Sequence, residues 1–294
     1  MNHPAELAVF NFLAQASAGE AQMAEDIRKQ VAADVEAALE KQFSSGPRDT
    51  FKIRMSNIGR PTCQLWFEKN DPEGKTPMPP HFLMNMIIGD IVEAVFKGLL
   101  RAAGVDFKDN AQVTLSLSNG QTVNGEYDME LDDAIDDVKS ASPWSYKNKF
   151  ASFEALQEGD SFGYVAQLVG YATAAQKKVG GWWVVNKANG EFKYVPATTV
   201  DKDAVLKQIE ETVDYIESGA EFKRCFDAVP ETHYRKQTGN LKLSTECGFC
   251  SYKHKCWPGL RTLPAVKSTA QEPPMVDYVF VSPEYEVGSD AAQA

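Results

Sequence analysis

No run of about 18 apolar residues occurs in this chain, which excludes a membrane-spanning helix of ordinary length. The most apolar stretch, FLMNMIIGDIVEAVF (82–96), is cut by Gly89, Asp90 and Glu93. The first residues, MNHPAELAVFNFLAQASAGEA, lack a basic segment ahead of their short apolar run and carry Glu6, so no secretory signal is expected and the location expected is cytoplasmic. Internal repeats are absent. Cysteine is scarce: five in 294 residues, which in such a chain favours metal ligation over a disulfide framework. Positive charge is in deficit too. With 30 Lys and Arg against 41 Asp and Glu, the net charge is −11, which by itself argues against a general nucleic-acid binder. What remains is a chain able to bury a sizeable core.

The pattern along the chain alternates between two periods. Residues 20–43 repeat Met23, Ile27, Val31, Val35 and Leu39 among charges, the pattern of an amphipathic helix, followed by a break at 44–49. A loop is predicted at 71–80 and a helix at 81–104, closed by Gly104. Residues 112–131 alternate around Asn119-Gly120 as a hairpin, and 134–142 read as a short strand. Helical spacing returns at 162–180, ending at Gly180-Gly181. A second hairpin turns at Asn189-Gly190, and a late helix spans 200–222. The tail end, 288–294, has the composition of a disordered segment. The order predicts a mixed α/β domain.

Acid is concentrated. Seven carboxylates lie in GEYDMELDDAIDD (125–137), either a solvated acidic face or a site for divalent cations. Asp128 falls on the second hairpin strand, and Asp137 and Lys139 fall on the next strand. Alternation puts Asp137 and Lys139 on one face. If the two strands are neighbours, two carboxylates and an ammonium converge, a hard-oxygen site for Mg²⁺ or Mn²⁺ with a lysine to orient the attacking water or stabilise charge on a phosphate. Acids are disfavoured within strands, which singles out Asp128 and Asp137. Asp132, Asp133 and Asp136 read instead as solvated flanks. Glu93 is either a third carboxylate or a surface glutamate beside the stripe of Ile91, Val95 and Leu99. Gln167 and Tyr171, four apart, share a helix face. Trp182 and Trp183 point to opposite strand faces, so one is expected buried and the other exposed. In KSASPWSYKNKF (139–150), Lys147 and Lys149 interleave with Trp144, Tyr146 and Phe150; this is either a DNA-binding stretch, with cations on phosphates and rings stacked on unpaired bases, or a loop whose aromatics pack in the core. Near the end, TECGFCSYKHKCWPG (245–259) brings Cys247, Cys250 and Cys256 into ten residues, three soft ligands of a site that needs four. His254 offers a local Zn²⁺ site, although only one residue separates it from Cys256. Cys225 reads as an ordinary buried thiol.

Taken together, Gly89-Asp-Ile-Val-Glu93, Gly125-Glu-Tyr-Asp128, Asp137-Val-Lys139 and Gln167-Leu-Val-Gly-Tyr171 resemble, in order and spacing, the motifs of the RecB-like branch of the PD-(D/E)XK nuclease superfamily. Many members carry histidine where Glu93 stands. The resemblance covers roughly residues 55–257 and implies a restriction-endonuclease-like α/β core, with a mixed central sheet flanked by helices and a cysteine-ligated cluster region. Iron–sulfur members, among them the CRISPR-associated RecB-type exonucleases and the nuclease subunits of bacterial end-resection complexes, have one cysteine before the motifs and three after. By that resemblance Cys63, Cys247, Cys250 and Cys256 hold a 4Fe–4S cluster of structural purpose. It further implies that Glu93, Asp128 and Asp137, with the Val138 carbonyl, hold Mg²⁺ or Mn²⁺, that Lys139 activates water, and that Gln167 and Tyr171 organise the site or touch the DNA backbone.

The expected organisation is an N-terminal helical region (1–50), a nuclease core bounded by cluster ligands (51–257) and a tail (258–294). The expected function is metal-dependent DNA exonuclease, cutting at ends in recombination, repair, phage DNA processing or CRISPR adaptation, with DNA that has free ends or is single-stranded and a protein of that pathway as partners, and no membrane. The alternatives are a structure-specific endonuclease and an inactive nucleic-acid-binding module with a structural metal site. The acidic balance is compatible with DNA if the channel is locally basic and bound metal offsets the carboxylates.

Overall fold

The computed structural model describes residues 3–43, 51–266 and 268–286. The break expected at 44–49 and the tail end at 288–294 lie outside them. The helices are α1 (Pro4–Ser17), α2 (Glu25–Phe43), α3 (Thr62–Asn70), α4 (Pro80–Ala102), α5 (Pro143–Lys147), α6 (Phe153–Glu158), α7 (Tyr164–Ala174), α8 (Lys202–Glu217), α9 (Lys253–Cys256) and α10 (Pro283–Glu286). The strands are β1 (Lys108–Ser116), β2 (Thr122–Leu131), β3 (Ala134–Ala141), β4 (Lys178–Asn186), β5 (Phe192–Pro196), β6 (Val229–His233), β7 (Lys236–Lys242), β8 (Arg261–Pro264) and β9 (Met275–Phe280). No helix is long and apolar enough to cross a membrane among the described residues.

The chain divides into two compact units, Met1–Arg60 with Pro79–Glu217, and Pro61–Met78 with Ser218–Ala294. These boundaries differ from the three-part division read from the sequence. The N-terminal helices pack within the first unit, where Ala5 and Val9 are buried beside Phe96, Leu100 and Trp183. The tail beyond residue 257 supplies β8 and β9 to the second.

The first unit is built on a mixed five-stranded sheet in the order β1-β2-β3-β4-β5, antiparallel except for the parallel pair β3–β4. Both hairpins turn where Asn-Gly predicts, and Gly120 (φ 85°) and Gly190 (φ 78°) take the left-handed conformation that a side chain resists. Two apolar cores cover the sheet. One joins Trp182, Ile135 and Tyr127 to Leu168, Val169 and Ile209 of α7 and α8; the other joins Trp183, Val138 and Met129 to α1 and α4. Trp182 and Trp183 therefore do point to opposite faces, but both are buried, at 1% and 0% exposure, because each face has its own helical layer. Helix α7 stops at Ala174 rather than at Gly180-Gly181. Those glycines belong to β4, where a methyl group on Gly180 would collide with the Asp136 carboxylate.

The second unit carries an antiparallel sheet in the order β6-β7-β9-β8. A smaller apolar group joins Phe67 of α3 to Tyr252 and Cys256, with Trp66, Phe222 and Trp257 around it. Thr76 donates its amide to the Ser251 carbonyl at 2.8 Å and Trp66 its indole to the Ala220 carbonyl at 2.8 Å, so residues 61–78 are stitched to the segment after residue 218.

Candidate active site and cysteine centre

The β2–β3 ladder ends at the pair Met129–Asp136. Beyond that point the Val138 amide donates to the Asp128 carboxylate, Oδ2 at 2.9 Å. A side chain thus replaces the next rung, and it draws Asp128 to the strand that carries Asp137 and Lys139. The β3–β4 register also shifts between Ile135 and Asp137. Of Val138, it is the amide that is tied to the acids. Gly125 opens the adjoining space, since a methyl group there would collide with Met55 and with the Tyr171 ring.

Asp137 is 2% exposed. Lys139 Nζ forms an ion pair with its Oδ2 at 2.5 Å, and no other donor reaches either Asp137 oxygen among the described residues. Burial, with the Asp128 and Glu93 charges adding to it against Lys139, pushes the Asp137 carboxyl up to about 8. For Lys139 burial acts downward, but Asp137 and Asp128 outweigh it and hold the ammonium charged above the ordinary lysine range. Glu93 of α4 feels Asp128 and Lys139, and burial raises its carboxyl as well. Gln167 donates to the Tyr171 hydroxyl at 3.3 Å, and that phenol, raised to about 12 chiefly by burial, senses Asp137, Asp128 and Lys139. Glu93, Asp128, Asp137, Lys139, Gln167 and Tyr171 are thus drawn into one neighbourhood of the first unit.

Two members of this neighbourhood were not singled out in the sequence. Lys97, its side chain 5% exposed, pairs with Glu93 at 2.7 Å; the i,i+4 spacing was its only signal. Tyr164, three residues before Gln167, has Lys139 5.2 Å from its ring centroid. Asp136 is not a solvated flank. It is 1% exposed and accepts from the Gly181 amide (2.8 Å), the Trp183 indole (3.0 Å) and the Tyr194 hydroxyl (2.8 Å), with its carboxyl raised to about 6 by burial. Asp132 and Asp133, with positive φ, do form the exposed β2–β3 turn. Residues 143–147 form the short helix α5. There Trp144 is 69% exposed and Lys147 is exposed, while Tyr146 lies under Lys193, 4.3 Å from its ring centroid. Phe150 is buried in the core.

All five cysteines belong to the second unit. Cys225 is exposed rather than buried, because its sulfur accepts from the Cys63 amide at 3.0 Å at the start of α3 instead of entering the core. A hydrogen bond with Cys63 and another with Thr62 lower the Cys225 thiol to about 6, and the same pair raises Cys63. Burial raises Cys247 and Cys250, and their neighbours add to it: Cys256 and Cys225 for the first, Cys247 and Cys256 for the second. His254 is exposed. Among the described residues no three Asp, Glu, His or Cys side chains stand in ready-made coordination geometry. The donor chemistry is suited to cations at both places, with buried carboxylates gathered around Asp137 and thiols whose anionic forms would repel one another around Cys247.

The chain matches no protein-family model and no curated protein. Among solved structures it is similar to one described as "Crystal structure of SSO0001", at 13% identity and a TM-score of 0.38, over 62% of this chain and 84% of that one.

Proposed function

We propose that this chain is a Mg²⁺- or Mn²⁺-dependent deoxyribonuclease of the RecB-like PD-(D/E)XK kind, with a restriction-endonuclease-like core, that hydrolyses phosphodiesters at DNA ends. The observation that carries the reading is Asp137, a buried carboxylate ion-paired with the Lys139 ammonium and set beside Asp128 and Glu93. Three acids gathered around one ammonium leave negative charge in excess, and a hard divalent cation is the partner that this donor set fits. Asp128, Asp137 and Glu93 would hold the ion, which when bound supplies a Lewis acid for the phosphate. Lys139, kept protonated by the acids, orients the attacking water and stabilises charge that develops on the phosphate. Gln167 and Tyr171 support that arrangement from α7, and Lys97 holds one oxygen of Glu93. Cys63, Cys247, Cys250 and Cys256 would hold a 4Fe–4S cluster of structural purpose. The exposure of His254 favours this set over local Zn²⁺.

The test is digestion of end-labelled single- and double-stranded DNA and of a closed circle, with Mg²⁺, Mn²⁺ or chelator. Linear DNA is expected to be degraded only with cation, and the circle to survive. Lys139→Ala is expected to lose at least about a hundredfold in rate. Cutting of the circle would point to an endonuclease, and normal cleavage by Lys139→Ala would remove the assignment.

A further inference from the structure

We infer that Lys149, Phe162 and Tyr164 form a clamp for one unpaired nucleotide beside Lys139, its phosphate on Lys149 and its base on Phe162. This rests on the nuclease reading and names the residues that would seat an unpaired strand beside the acids. The α6–α7 connection brings Phe162 and Tyr164 together with their rings 14° from parallel and 5.7 Å apart. Lys149 Nζ lies 4.7 Å from each ring centroid. The same Tyr164 ring has Lys139 Nζ 5.2 Å from its centroid, so one aromatic step separates the two ammonium groups. Behind it the buried Phe150 stacks on Tyr164 at 6.0 Å, which fixes the inner ring. The outer ring, Phe162, is 45% exposed.

Lys149 is half-buried and, among the described residues, makes no ion pair. The carboxylate acting on it, Asp160, spends both oxygens on the α7 N-terminus, accepting from the Tyr164 amide at 2.9 Å and the Val165 amide at 2.8 Å. The rings therefore hold an ammonium that no carboxylate touches, and a phosphate could contact it directly. An exposed aromatic face next to a phosphate site is a stacking platform. Bases inside a duplex are stacked on both faces, so away from the very end the platform selects an unpaired strand. Of the residues expected to bind DNA, Lys149 joins this group while Tyr146 is engaged by Lys193.

Binding is measured by fluorescence anisotropy on the full chain carrying Asp137→Asn, with labelled dT20, an abasic strand of equal length and a blunt duplex, across a KCl series. Phe162→Ala and Phe162→Leu should each weaken dT20 about tenfold or more, with the abasic strand and duplex unchanged, and Phe162→Trp should restore binding. Lys149→Met should weaken both single strands and reduce the salt slope by about 0.7. No dT20 binding by the parent, or equal losses on dT20 and duplex, overturns the clamp. Specific loss of dT20 binding by the Phe162 variants, with the unsubstituted chain never cutting DNA in Mg²⁺ or Mn²⁺, would keep the clamp and reject the nuclease reading.

Discussion

At Asp137 two forces meet that burial and Coulomb attraction set against each other. With no cation bound, desolvation pushes the Asp137 carboxyl upward, to about 8, against the pull of the Lys139 ammonium. The folded chain then binds a proton that the unfolded chain, with an ordinary carboxyl, has released. A group of this kind costs stability as pH rises from about 4 to about 8. Relative to the parent, Asp137→Asn is expected to gain roughly 1–3 kcal/mol across that window with divalent cations chelated. Urea unfolding at pH 5 and pH 8 measures it, and the difference between the two proteins isolates Asp137 from other titrating groups. Added Mg²⁺ should raise the stability of the parent at pH 8 and leave Asp137→Asn nearly unmoved. An identical response in both proteins would remove Asp137 from the ligand set.

Between elements, the neighbouring Asp136 has a different task. Its three donors come from β4 and β5, so one carboxylate clasps β3 to the two strands on its far side just where the register shifts. Removing it leaves the Gly181 amide, the Trp183 indole and the Tyr194 hydroxyl buried without an acceptor. Asp136→Ala should therefore cost about 3 kcal/mol or more by chemical denaturation, with Asp136→Asn less affected. A cost below about 1 kcal/mol would mean that water takes over the acceptors and that the clasp is not structural.

On the scale of the whole molecule, the second unit is assembled from two stretches far apart in the chain, 61–78 and 218–294. Cys63 belongs to the first stretch and the other thiols to the second. Ligation across them would turn metal affinity into folding energy. Anaerobically purified protein is expected to be brown, with about four iron atoms per chain. Cys63→Ala should bleach it and make both stretches protease-sensitive together. Zinc without iron, and a Cys63→Ala protein digested like the parent, would refute the cluster. That outcome leaves the nuclease reading standing, since it rests on Asp137 and Lys139.

Local rules determined much of this protein from sequence alone. Asn-Gly placed both hairpins, alternation put Asp137 and Lys139 on one face, and four-residue spacing joined Gln167 to Tyr171, because each depends on backbone period rather than on distant partners. Only tertiary structure decided burial and company. Asp136 and Asp128 look alike in sequence, yet one is sealed under Tyr194 and the other reaches across to the Val138 amide. Both tryptophans are buried because helices from opposite ends of the first unit cover both sheet faces. Tyr164 joins the acids, and Cys225 meets Cys63, through contacts that no period encodes, since what a side chain loses or gains on leaving water is set by whichever remote groups arrive beside it.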